Sequence, residues 1–230
     1  MVDVKDKKAY SFSIVLIGNF SPGMFQPYWF KHCGILDDYE FAAIERNKDK
    51  LIVSSAITAF ETENFAFRIE EKRFTLIAKK EPFELLLDAF EKLQEKLDSV
   101  LIEKFGMNFS FHVDFRTYDN LKKFGDVIAP KQYWSTLFCN MADDECNKSG
   151  LATMTMRKQT EFGCINVKIE SSTHFKNSVF FDFNFHFDGN PDEPFDILDV
   201  NDAVNERFKE FTDYSDEITC HLVDEVINNG

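Results

Sequence analysis

The chain sorts its apolar residues into two rhythms. From Phe181 to Phe187 phenylalanine takes every second position, and Asp182, Asn184, His186 and Asp188 stand between and after. A period of two predicts a strand with one buried face and one polar face. The same rhythm runs through Phe12, Ile14 and Leu16, through Phe65, Phe67 and Ile69, and through Phe74, Leu76 and Ala78. It returns at Phe109, Phe111, Val113 and Phe115 and at Ile165, Val167 and Ile169. Parity flips between Ile69 and Phe74, which calls for a turn at Glu70–Lys72. Leu51–Glu61 also reads as a strand, with Leu51, Val53, Ser55 and Ile57 sharing a face. Residues 1–8 are polar and read as loose.

The second rhythm has steps of three and four. Phe83, Leu86, Leu87, Phe90, Leu93, Leu97, Val100 and Leu101 predict a long helix opened by Pro82 and ended by Gly106. Val200, Val204, Phe208, Phe211, Ile218 and Leu222 predict another, with acids on its far side. Shorter helices are expected from Ser21, as cap, through Pro22 to His32, over Asp37–Arg46, and over Tyr118–Ile128. Another helical turn is expected at Lys131–Phe138, followed by a polar loop, CNMADDECNKSG.

Written as elements, the order strand, helix, three strands, long helix occurs twice, over about 10–104 and about 107–227. The predicted fold is α+β: one domain, 1–230, with pseudo-duplicated halves. Its core is a single, mainly antiparallel, curved sheet of about eight strands. The two long helices cover one face and leave the other open. The layout resembles the saddle of the TATA-binding protein. That resemblance implies a fold and not DNA binding.

Composition narrows the function classes. A chain of 230 residues buries enough apolar surface to need no staples. It has no apolar run near the ~18 residues of a membrane span. The opening MVDVKDKKAYSF lacks a long apolar segment, so a cytoplasmic, membrane-free protein is expected. Five cysteines, Cys33, Cys139, Cys146, Cys164 and Cys220, with no CxxC spacing, read as reduced thiols. The net charge is −14, and Asn190–Gly230 holds twelve acids against Arg207 and Lys209. Such a chain is ill suited to gripping nucleic acid. It suits a basic protein partner, for which Asp213, Asp216 and Glu217 on the last helix are candidate contacts.

No phosphate-loop, zincin or nucleophile-elbow motif is present. The sharpest chemical pattern is His-x-Asp, which occurs as His112-Asp114 and as His186-Asp188. Residues i and i+2 share a strand face. Were the two strands to bring these pairs together, two imidazoles and two carboxylates would suit a divalent metal. Such a metal activates water, which gives a metal-dependent hydrolase or nuclease as one reading. The other reading makes the polar row, including Asp182 and Asn184, a recognition surface for another protein. The aromatic pairs Tyr28-Trp29 and Tyr133-Trp134 read as core anchors under the sheet ends.

The fragments IGNFSPGMFQPYWF, EKRFTL, FGMNF and APKQYW together resemble a sporadically distributed family of uncharacterised prokaryotic proteins. Members of that family sometimes sit near phage-defence or mobile-element genes. The resemblance implies a bacterial cytoplasmic protein acting with another gene product, and carries over no functional residue. The leading expectation is a non-catalytic protein-binding module: an adaptor, inhibitor or antitoxin-like partner. It needs no cofactor, and its open face also suits homodimerisation. The metal-dependent enzyme and a small-molecule sensor are the alternatives.

Overall fold

The computed structural model describes residues 2–4, 7–97, 100–134, 150–190 and 193–228. Nine strands form one antiparallel sheet: β1 (Lys7–Gly18), β2 (Ile52–Val53), β3 (Ile57–Glu61), β4 (Phe65–Glu70), β5 (Arg73–Ala78), β6 (Ile102–Asp114), β7 (Thr153–Gln159), β8 (Gly163–Ser171) and β9 (Ser178–Asp188). Their order is β2-β3-β4-β5-β1-β6-β9-β8-β7. The first strands of the two runs, β1 and β6, lie side by side at the centre. In each run the following strands start at an edge, β2 or β7, and step inward, so the last, β5 or β9, pairs with the first. The α+β class and the single open sheet agree with the sequence reading.

Among the described residues five α-helices accompany the sheet: α1 (Pro27–His32), α2 (Asp38–Arg46), α3 (Glu84–Gln94), α4 (Tyr118–Ile128) and α5 (Ile197–Val223). They sit over the alternating phenylalanines. Phe30 of α1 meets Phe60, Phe67 and Phe74. Phe124 of α4 meets Phe115 and Phe181. Phe208 and Phe211 of α5 meet Phe12, Phe109, Phe185 and Phe187. Phe181, Phe183 and Phe185 are wholly buried, and so are Phe109 and Phe111. The apolar row thus faces a helical layer.

Caps fix several helix starts. The Thr117 side chain accepts from the Asn120 N–H, and Asp37 accepts from the Glu40 N–H. Asp196 and Asp199 form a reciprocal capping box at the head of α5. Ser21 makes no such bond. The segment after it is a 3-10 turn, Pro22–Met24, and α1 starts only at Pro27.

Other expectations are corrected. α3 has 11 residues and stops at Gln94, so among the described helices only α5, with 27, is long. Gly106 does not end a helix. It lies inside β6, whose Phe105 and Met107 are buried opposite Phe187 and Phe185. Leu97 still reaches the core, but through turns after α3. Leu51–Glu61 is broken into β2 and β3, and its buried residues are Thr58 and Phe60, the opposite parity from that expected. The break comes at Ser54, whose hydroxyl accepts from the Ala56 and Ile57 N–H groups and resets the register. Along α5 the buried line after Phe211 runs through Ser215, Thr219 and Val223 rather than Ile218 and Leu222.

The described residues at the amino terminus are not loose. Val2 and Val4 are buried in the core. Tyr28 is 71% exposed, and Tyr133 and Trp134 are exposed too, so neither aromatic pair is a buried anchor; only Trp29 is partly buried. No disulfide joins Cys33, Cys164 and Cys220 to one another. Cys139, Cys146 and most of the polar loop that contains them lie outside the described residues, as does the end of the turn expected at 131–138.

Candidate functional site: the open face of the sheet

Antiparallel pairing sets the outward residues of the sheet in transverse rows. One row reads Glu61, Ala66, Ile77, Ser13, Asn108, Asn184, Asn166 and Arg157, from β3 to β7. Its last five members are hydrogen-bonded in sequence. Arg157 Nε donates to Asn166 Oδ1 at 2.8 Å, and Asn166 Nδ2 donates to Asn184 Oδ1 at 2.9 Å. Asn184 Nδ2 donates to Asn108 Oδ1 at 2.5 Å, and Asn108 Nδ2 donates to Ser13 Oγ at 3.1 Å. Every donor points toward β1, so the amide dipoles add along the row. Asn166 Nδ2 also donates to Cys164 Sγ at 3.6 Å, whereas Asn108 and Asn184 each keep another N–H, and all three amides keep further lone pairs for a ligand.

Next to this row, Ser11 and Ser110 share a hydroxyl–hydroxyl bond of 2.8 Å, and Ser110 stands opposite Asp182. Burial holds the Asp182 carboxyl above its ordinary range. Lys168 beside it partly offsets that effect, and Glu170 adds to it. Of the expected recognition residues, Asp182 and Asn184 therefore lie on the open face, in neighbouring rows. Asp213 and Glu217 are exposed on α5, on the other side of the sheet. Asp216 is different: it pairs with the buried Lys7.

The two His-x-Asp pairs are not brought together. β6 and β9 are neighbours, but antiparallel register sets His112 opposite Phe180 and His186 opposite Gly106. Six residues of strand separate those positions, about 20 Å at ~3.4 Å per residue. Each aspartate is engaged locally. Asp114 accepts from Lys8 Nζ at 2.7 Å and from the Arg116 N–H, and both hold its carboxyl below the usual range. Asp188 accepts from Lys104 Nζ at 2.7 Å and lies 3.1 Å from His186 Nε2; its carboxyl is likewise held low, chiefly by Lys104. Among the described residues no group of three or more His, Cys, Asp or Glu side chains is placed to hold a metal. The metal set His112, Asp114, His186 and Asp188 is thus not assembled.

His112 has a different setting. It is buried, packs against the rings of Phe175, Phe180 and His174, and its Nδ1 has no hydrogen-bond partner. Burial, and then the nearby His174, lower its pKa.

Charges on the open face are mostly matched. Besides the lysine–aspartate pairs, Lys168 meets Glu170, Arg68 meets Glu70, and Lys50 and Lys79 meet Glu61. The negative charge of the chain is carried elsewhere, in large part by the exposed side of α5. No described helix is long and apolar enough to cross a membrane. Comparison with protein-family models and with curated proteins found no match. Ser13, Asn108, Asn166 and Arg157 were not singled out by sequence pattern. Their only signal was outward parity, and the register that lines them up is a long-range property.

Proposed function

We propose that the protein is a non-catalytic protein-binding module whose open sheet face is the recognition surface. The observation that carries this reading is the hydrogen-bonded row from Arg157 to Ser13, on a face that no described helix covers. Side chains already held in place lose little freedom on binding, so their remaining donors and acceptors contribute to affinity at small entropic cost. Matched charges around the row make the face nearly neutral, which favours a polar protein surface over a polyanion. The acidic side of α5 supplies a second, salt-sensitive contact for a basic region of the same partner or of another.

The test is affinity isolation from the native host with wild-type bait, an Asn184→Arg bait and an Asp213→Lys/Glu217→Lys bait. The reading expects a partner retained by the wild type and lost with Asn184→Arg, while the helix variant shifts the salt concentration needed for elution. Full retention by a correctly folded Asn184→Arg bait overturns the assignment of the open face.

A further inference from the structure

A separate site lies on the helical side, where the start of β1 meets α3 and α5. β1 carries a bulge between Lys8 and Ser11, where β6 supplies one residue fewer. Ala9 in this bulge has φ 48°, a left-handed conformation that costs a residue with a side chain about 1–2 kcal/mol. The bulge lets Lys8 point to the open face while Lys7 and Tyr10 both point to the helices. The Lys7 ammonium lies 4.1 Å from the Tyr10 ring centroid and 4.3 Å from that of Phe111, and pairs with Asp216. A primary ammonium in a corner of two aromatic rings and a carboxylate is therefore already part of the fold.

Beyond Lys7 the corner opens into a cavity of about 430 Å³. Phe83 and Phe208 give it apolar walls, and Glu81 and Glu84 line it with carboxylates. Neither glutamate is in an ion pair with any described residue, in contrast to most acids of the open face. The Tyr10 hydroxyl oxygen is buried there without a hydrogen-bond partner. Burial, with the carboxylates of Asp216 and Glu81, pushes its pKa up, so the phenol stays neutral. Aromatic faces and unneutralised carboxylates select one class of ligand, a cation with an apolar stem.

We propose that this cavity binds a linear aliphatic diamine or polyamine. One ammonium lies between Glu81 and Glu84, and its methylenes run along Phe83 and Phe208. The site is independent of the open face and would make the protein responsive to a small molecule as well as to a partner.

The experiment is calorimetric titration of the full chain with spermidine at low ionic strength. The wild type should bind one equivalent saturably. Glu81→Gln/Glu84→Gln should weaken that binding about tenfold or more, a loss of ~1.4 kcal/mol or more. Thr212→Trp, which fills the cavity from α5, should abolish it. Asp213→Asn/Glu217→Gln, which removes exposed acids of α5, should leave it unchanged. Absence of saturable binding overturns the proposal, as does binding that is lost with the α5 pair and kept by the glutamate pair, the signature of diffuse counterion attraction. Should Thr212→Trp misfold, the two charge-neutralising variants decide alone.

Discussion

Phe185 and Phe211 stack face to face, their ring centroids 3.9 Å apart and their planes 7° from parallel. This pair joins the middle of β9 to the middle of α5 and fixes how the long helix lies on the sheet. Both rings are buried, so truncation leaves a cavity that the neighbours fill only in part. Phe211→Ala should cost about 3–5 kcal/mol. Chemical denaturation should show an earlier midpoint with little change in slope. A loss below ~1 kcal/mol would mean that α5 is not held through this stack.

The row on the open face makes its own prediction. Asn184 donates to Asn108 and accepts from Asn166, so it links the two halves of the row. Asn184→Ala should leave both neighbours short of a partner and cost about 1–2 kcal/mol. The side chain is only half-buried, so water replaces part of what is lost. Asn166→Ala in the Asn184→Ala background should then cost less than it does alone. A double-mutant cycle measures that coupling, and strict additivity would show that the row does not act as a unit.

Asp182 predicts a pH effect of definite sign. Its carboxyl titrates higher in the fold than in the unfolded chain because burial disfavours the charge. Between the two pKa values the folded form binds more protons, so this residue lowers stability as pH rises through that window. Above the folded pKa the penalty is complete. Asp182→Asn should therefore raise the melting temperature at neutral pH, and the gain should vanish on acidification below the ordinary aspartate range. A variant less stable than wild type at neutral pH would show that Lys168 outweighs burial.

How far the sequence could be read depends on the range of each interaction. The phenylalanine rows were legible because a strand of period two needs only its own side chains to declare a face. The turn at Glu71–Lys72 was legible because parity changed across it. The end of α3 was not, because Leu93, Leu97, Val100 and Leu101 satisfy helical spacing while Ile102 is drawn into pairing with Gly18 of β1 and into a bridge with Phe195. The distance between His112 and His186 was hidden for a similar reason: register along β6 and β9 is set by the whole ladder. The inward turn of Lys7 depends on one left-handed alanine, which no local pattern marks.

That alanine can be tested directly. Glycine adopts positive φ without steric cost, whereas a β-branched residue is penalised there more than alanine is. Ala9→Gly should keep or slightly raise stability, within ~1 kcal/mol, and Ala9→Val should lower it by more than ~1 kcal/mol. The spermidine titration should follow the same order, since the bulge aims Lys7 and Tyr10 into the cavity. Equal stability of all three forms would show that the bulge is not confined to this conformation.

His112 gives the opposite pH sign from Asp182. It is a base held neutral in the fold by burial among Phe175, Phe180 and His174, and its Nδ1 has no partner to stabilise a proton. The groups facing it are His174 and Glu170, with Lys8 opposite it on β1 and the Lys8–Asp114 pair alongside. The unfolded chain protonates this imidazole near its ordinary value of about 6.5. Below that pH the unfolded form binds the extra proton first, so stability falls as pH drops toward the lower folded pKa and is constant above ~6.5. His112→Phe keeps the ring packing and removes the titration. Its stability relative to wild type should rise as pH is lowered from about 7.5 to about 5.5. Urea midpoints at the two pH values measure this, and parallel losses in both proteins would assign the acid sensitivity to other groups.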